Sequence, residues 1–375
     1  MSRFTDLVPR VLELAVAIQQ IPAPTFAERE RAEFIYQRFL DEDLDDVSID
    51  NSGNVFARYP GASRRPPIIV TAHSDTVFPL STDLGIKRGD KTIRAPGIGD
   101  NSLGVAGLFG ALWALKDKDQ QNGSSLPLAG DVWLVSNVGE EGLGDLAGMR
   151  AVVDRFEDDV LAYLVLEGMA LGQVYHRALG VSRYRITVRT GGGHSWVDYG
   201  NPSAVHELAK LITILTAIPV PESPRTTINV GVINGGTSIN TIAAEASLEL
   251  DLRSESAAEL RRLVRRVESR VLAANRNGVR VEWDLIGERP AGSIPVDHPL
   301  IRLVTRSLAV HDIQPVLSVG STDANIPLSK GLPAVCLGLT TGAGAHTLDE
   351  YIHTEPLEKG LELLVTVIET AFQEL

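Results

Sequence analysis

Residues 66–75, PPIIVTAHSD, decide the fold. A continuous apolar run of strand length reads as a β-strand buried on both faces, the habit of parallel sheets. The run ends abruptly on His73 and Asp75, so the strand delivers polar groups at its carboxyl end. Working outward, residues 54–59 (NVFARY), 131–138 (DVWLVSNV), 161–167 (LAYLVLE) and 333–339 (PAVCLGL) are further short apolar runs. Helical patterns separate them, notably 104–117 (GVAGLFGALWALKD) and 355–373 (EPLEKGLELLVTVIETAFQ). This alternation predicts an α/β protein with a mainly parallel sheet flanked by helices. Ahead of the sheet, Leu7, Val11, Leu14 and Ile18 share one helical face, with no basic region leading into an apolar one, so the start reads as a surface helix and not a signal peptide. A capping box from Thr25 to Glu28 predicts the start of a second helix through Ile35, Tyr36, Phe39 and Leu40.

The stretch from Val181 to Glu288 follows a different rule. Its order is strand, helix, strand, strand, helix, strand, and its strands alternate, as Ser247-Leu248-Glu249-Leu250-Asp251-Leu252 does. Alternation predicts a sheet covered on one face only. We therefore expect an inserted α+β domain of β-α-β-β-α-β order at 180–291, between two parts of the main domain at 1–179 and 292–375. The clusters GGGH and ERPAGSIP mark the expected junctions, and KDKDQQNGSS from Lys116 reads as a solvated connection.

With 375 residues, Lys+Arg 35 and Asp+Glu 48, the formal net charge is −13, which argues against nucleic acid or an anionic membrane as the main partner. The hydrophobic share of 44% is that of a chain that folds. No run approaches the ~18 consecutive apolar residues of a membrane span. The single cysteine, Cys336, excludes an intrachain disulfide and any Cys-based zinc cluster; it reads as a core thiol in a reducing compartment, and a cytoplasmic protein is expected.

Chemistry gathers at the strand ends. His73 and Asp75 follow one strand, Glu140 and Glu141 the next, Glu167 closes a third, and His346 lies a few residues past the last. Asp100 sits in the glycine-rich stretch APGIGDNSLG before a helix. In open α/β sheets this edge is where ligands bind. Five carboxylates and two imidazoles converging there would repel one another in a cleft unless cations neutralise them. Imidazole and carboxylate without thiolate suit zinc, manganese or cobalt, and this many donors suffices for two metals sharing a carboxylate. Neither a Gly-x-Ser-x-Gly elbow nor a phosphate-binding Gly-x-x-x-x-Gly-Lys loop occurs, and GLGDLAG from Gly142 is only a fragment of a dinucleotide fingerprint.

The motifs TAHSDTVFP, GIGDNSLGVAG, GEEGLGD, LVLEG and GAGAHTLDEYIHTEPL, in this order and spacing, resemble the M20 family of co-catalytic zinc peptidases and amidohydrolases, relatives of carboxypeptidase G2, succinyl-diaminopimelate desuccinylase, aminoacylase and peptidase T. The resemblance covers nearly the whole chain, and in the family the inserted segment is a lid and dimerisation domain. It implies that His73 and Glu167 bind one metal, that Glu141 and His346 bind the other, that Asp100 bridges them, and that the peptide bond from Asp100 to Asn101 is cis. Two divalent ions are implied, zinc first, with cobalt or manganese as alternatives. Asp75 would orient His73, and Glu140 would be the general base. His194 of GGGHSW would polarise the scissile carbonyl, from the partner subunit of a homodimer. Asn240 and Arg253 would hold a substrate carboxylate, a task that suits the planar fork of arginine. Asn101 departs from the Asp that many members carry, and the lid sequence matches no single subfamily. His353 reads as structural, and His176, His206, His298 and His311 as surface or helix residues.

The resulting expectation is a metallohydrolase that cleaves an amide or peptide bond in a small amino-acid derivative or short peptide bearing a free carboxylate. An exopeptidase is preferred, an N-acyl-amino-acid deacylase is the alternative, and a non-catalytic metal-binding homodimer is the reading from another class.

Overall fold

The computed structural model describes residues 3–44, 46–121 and 128–375. The chain divides into two compact units, Met1–Ala178 with Ser293–Leu375, and Leu179–Gly292. The first break falls at Ala178, ahead of the GGGH cluster expected to mark it, because the strand Gly180–Thr190 begins at once; GGGH instead makes a turn within the second unit, where Gly192 has φ 64°.

In the first unit a mixed sheet runs Val47–Ile49, Val55–Tyr59, Gly130–Asn137, Arg65–His73, Ala162–Glu167, Ala334–Gly338, Gln173–Ala178, with Val316–Gly320 paired to the last. The four strands from Gly130–Asn137 to Ala334–Gly338 are mutually parallel. Their carboxyl ends therefore line up, with His73 opposite Asn137 and Gly338 opposite Glu167. Helices cover the sheet because their apolar stripes match it: Leu7, Val11, Leu14 and Ile18 of the helix Arg3–Gln19 are buried, as are Leu361, Leu364, Val365, Ile368 and Phe372 of Leu357–Glu374. The stretch Ile98–Lys118 is long and apolar enough to cross a membrane, yet 94% of its apolar window is buried in this core. Its helix continues to Gln121, so Lys116–Gln121 is helical where a loop was expected; the rest of KDKDQQNGSS, residues 122–125, lies outside the described residues. Cys336 is fully buried, and burial pushes its thiol well above the ordinary value.

The capping box does not form. The second helix starts at Arg29 with Glu28 at its N-cap position, so Thr25 lies ahead of the cap, and its hydroxyl donates to Asp75. A true capping bond occurs at Ser256, which accepts from Glu259 N–H at the head of the helix Ala257–Ala273.

The second unit is an antiparallel sheet, ordered Thr226–Gly235, Glu245–Ser254, Gly180–Thr190, Val279–Arg289, with the helices Ala204–Thr216 and Ala257–Ala273. Ala246, Leu248, Leu250 and Leu252 are buried under those helices. On the opposite face a charge ladder crosses directly paired residues: Arg183 with Asp251 at 3.0 Å, Arg185 with Glu249 at 2.8 Å, and Arg189 with Glu245. A one-residue slip would break every rung and turn the leucines to water, so pattern and charge select the same register.

One buried cation ties the first unit to the strand ends. Arg31, 2% exposed, donates to the carbonyls of Ile21 at 2.9 Å, Ser74 at 2.7 Å and Gln19 at 3.5 Å. Burial lowers its pKa to about 10 against the pull of Asp75 and Glu28, so it stays charged. Replacing it by Met should strand two buried carbonyls and a half-buried one and cost about 3 kcal/mol or more, read from the urea midpoint; a loss below ~1 kcal/mol would contradict this account.

Candidate metal centre

His73 closes its strand with 2% exposure, Glu167 closes the next, and Glu140 and Glu141 stand just past the strand Gly130–Asn137. Asp100 comes from the loop before the long core helix. His346, at a left-handed φ of 65°, comes from the loop after Ala334–Gly338.

The Asp100 carboxylate divides between two imidazoles. Its Oδ1 lies 3.2 Å from His73 Nε2, and its Oδ2 lies 3.1 Å from His346 Nε2. His73 Nε2 is also 3.8 Å from Glu167 Oε2, and His346 Nε2 is 3.0 Å from Glu141 Oε1. Two candidate metal groups result, His73–Asp100–Glu167 and Asp100–Glu141–His346, joined through Asp100. A third, His73–Glu140–Glu141, overlaps them. Donors about 2.1 Å from one tetrahedral ion stand roughly 3.4 Å apart, so separations of 3.0 to 3.8 Å fit shared ions, and the nitrogen and oxygen donor set suits a transition metal.

Without cations, the groups hold one another's charge. Burial alone would raise Asp100, yet His346 and His73 keep it well below the usual carboxylate range. Burial raises Glu167 to about 7 despite His73. Burial would lower His73, but Asp100, Asp75 and Glu167 lift it well above its ordinary value. Hydrogen bonds with Asp100 and Glu141 push His346 up to about 10.

The model of peptidase family M20/M25/M40 matches residues 69–370. This chain belongs to that family. A tripeptidase from Staphylococcus aureus shares its fold with a TM-score of 0.82 at 22% identity, over 98% of this chain and 99% of that one. A dinuclear metal binding peptidase of Bacillus subtilis does so with a TM-score of 0.67 at 17% identity, over 99% and 100%. A probable carboxypeptidase of Aspergillus flavus is 33% identical over 239 residues, 57% of this chain; the match spans about half of the fungal protein, 52%.

In this M20 chain several supporting residues escaped sequence reasoning. Asp75, named in the sequence reading, faces His73 Nδ1 with its main-chain carbonyl at 3.2 Å and its carboxylate at 3.5 Å. That carboxylate chiefly fixes the next turn, accepting Glu140 N–H and Glu141 N–H at 2.9 Å each, with the Thr25 hydroxyl at 2.9 Å. Fully buried Glu350 accepts the N–H groups of Gly97 at 3.0 Å, Gly99 at 2.7 Å and Asp100 at 2.9 Å, and so sets the loop that aims Asp100. The Asp100–Asn101 peptide is cis, as the resemblance implied. The one sequence signal for Glu350 is its place inside the His346 motif, since a carboxylate that binds backbone leaves no spacing pattern.

In the second unit, the Nδ1 of exposed His194 accepts from Trp196 N–H at 3.2 Å and Val197 N–H at 3.4 Å. The neutral ring therefore carries its proton on Nε2, ready to donate. Asn240 is brought beside it, its carbonyl taking Ser195 N–H at 3.0 Å. Arg253 is not: eight residues of continuous strand separate it from Glu245, about 26 Å at 3.3 Å each. Its guanidinium pairs with Asp251 at 2.6 Å. Arg253 and the turn that carries Asn240 thus lie toward opposite ends of the strand Glu245–Ser254.

Among the remaining histidines, His353 Nδ1 lies 3.0 Å from Thr341 Oγ1, outside the candidate metal groups. His176 is buried and not at the surface, its Nδ1 2.9 Å from the Ile294 carbonyl, because its strand is covered on that side. His298 caps the helix Pro299–Val310.

In metal-stripped protein the His346 imidazolium should persist far above its ordinary value of 6.5, with an NMR midpoint near 10. Its stabilisation is then full below about pH 6.5 and lost as pH rises through about 10. A midpoint near 6.5 would mean that His346 does not meet Asp100 and Glu141.

Proposed function

We propose that this protein is a two-metal exopeptidase acting on di- or tripeptides with a free carboxylate. The observation that carries the reading is the division of one carboxylate, Asp100, between His73 and His346. His73 and Glu167 would hold one divalent ion, Glu141 and His346 the other, with zinc the best fit to the donors and cobalt or manganese next. When bound, such ions polarise a carbonyl and lower the pKa of a water.

The chain's own residues supply the rest. Glu140, 5% exposed and outside the two groups joined by Asp100, takes the proton of the attacking water as its oxygen bonds to the carbonyl carbon. The carbon–nitrogen bond breaks, and the same proton passes to the leaving nitrogen. His194 donates its Nε2–H to the oxygen on which charge develops.

The placement of His194 and Asn240 far along the lid sheet from Arg253 supports a homodimer. His194 of one chain would then complete the site built on Asp100 and Glu140 of the other. An exposed sheet edge at Thr226–Gly235, carrying Val232 and Ile233, is a natural pairing surface. An N-acyl-amino-acid deacylase needs the same machinery, so the names tripeptidase and carboxypeptidase among the relatives favour the peptide reading. A non-catalytic dimer is disfavoured because Glu140 and all five proposed ligands are present.

The deciding assay compares short peptides with N-acetyl amino acids under added zinc, cobalt or manganese. In it, Glu140→Gln should keep its metal while kcat falls by about 10² to 10⁴, whereas Glu141→Gln should lose metal; equal metal loss in both would overturn the roles. Trans action has its own check by subunit exchange. Mixing Glu140→Gln with His194→Ala chains should restore about a quarter of wild-type activity, since half the dimers are mixed and one of their two sites is intact. No recovery despite exchange would place His194 in its own chain's site.

A further inference from the structure

Asn101 follows the shared carboxylate, is 1% exposed, and has a geometry that the reaction leaves unexplained. The His73 strand pairs with the Glu167 strand only from Ile68 opposite Ala162 to Thr71 opposite Val165. Past that point the two strands part, and the cluster His73–Asp100–Glu167 stands where they do. The Asn101 side chain takes over the ladder. Its Nδ2 donates to the Leu166 carbonyl at 2.8 Å, and its Oδ1 accepts Gly168 N–H at 3.0 Å.

In a parallel ladder, one residue bonds through its N–H and C=O to the two residues that flank its neighbour. A carboxamide is a peptide group in miniature, and here it occupies that role with Glu167 as the flanked residue. The surroundings are cut to admit it. A Cβ on Gly104 would lie 2.0 Å from Asn101 Oδ1, and one on Gly168 would lie 2.2 Å from the Gly99 carbonyl oxygen. Both glycines let the loop carrying Asp100 and Asn101 close onto the end of the Glu167 strand.

We propose that Asn101 is a positioning residue that sets Glu167 against His73 and Asp100 by standing in for a missing strand residue. The inference rests on the reading of those three as metal ligands. Aspartate, equal in size, could accept from Gly168 but would set a bare oxygen against the Leu166 carbonyl and add a charge beside Glu167 and Asp100. The choice of amide over carboxylate therefore has a local physical reason.

The test is zinc titration of the chelator-stripped full chain, comparing wild type with Asn101→Asp and Asn101→Ala. One binding step should weaken about 10- to 100-fold, the range for groups that orient ligands, while the step assigned to Glu141 and His346 moves far less. Gly168 amide exchange should accelerate in Asn101→Ala, and kcat should fall more than KM changes. A residue that merely fills space would lower the thermal midpoint of the stripped protein without separating the two steps, and that result overturns the inference. Two unaltered zinc steps in both variants would overturn it while leaving the metal reading intact. Wild type that takes up no zinc, cobalt or manganese would sink both. Asn101→Asp keeps the volume of the native residue, so the comparison survives if the Ala variant fails to fold.

Discussion

The carboxylate of Asp100, held with one oxygen toward each of two imidazoles, is the contact around which the rest of the first unit is organised. Five acidic groups at one sheet edge are unfavourable unless opposite charge compensates them. In the protein alone His73 and His346 supply that compensation, which is why Asp100 titrates low and both rings titrate high. Cations would replace those protons, so metal uptake and proton release are two sides of one equilibrium.

Holding such groups in place takes a layer of buried polar contacts with little slack. Asp75 grips the backbone of Glu140 and Glu141, Glu350 grips that of Asp100, and Asn101 brackets Glu167. Each of the three acts on backbone groups of the residues around the candidate metal centre. Arg31 adds fixed positive charge behind this layer and ties the residue after His73 to the end of the first helix. A parallel sheet makes the arrangement possible, because its strands all present their carboxyl ends on one side.

The second unit obeys simpler rules. Alternating leucines choose its covered face, and the arginine–carboxylate rungs choose its register. Its length keeps Arg253, toward one end of a ten-residue strand, apart from the His194–Asn240 pair beyond the other.

The sequence by itself determined the α/β class, the β-α-β-β-α-β order of the second unit and the identity of the metal-site candidates. These follow from periodicity and from the sudden change from apolar to charged residues at strand ends, both local properties. It also carried the family, through five motifs whose order survives along the chain. Tertiary structure alone decided which residues aim those candidates. Thr25 reads as a helix cap until folding brings the Asp75 carboxylate within 2.9 Å, and Glu350 and Asn101 act on backbone groups far from them in the chain. It also set most of the strand Glu245–Ser254 between Arg253 and the turn that carries Asn240, thirteen positions away in sequence. Hydrogen bonds between distant segments leave no spacing rule to read, because their geometry exists only once the sheet has set where each strand ends.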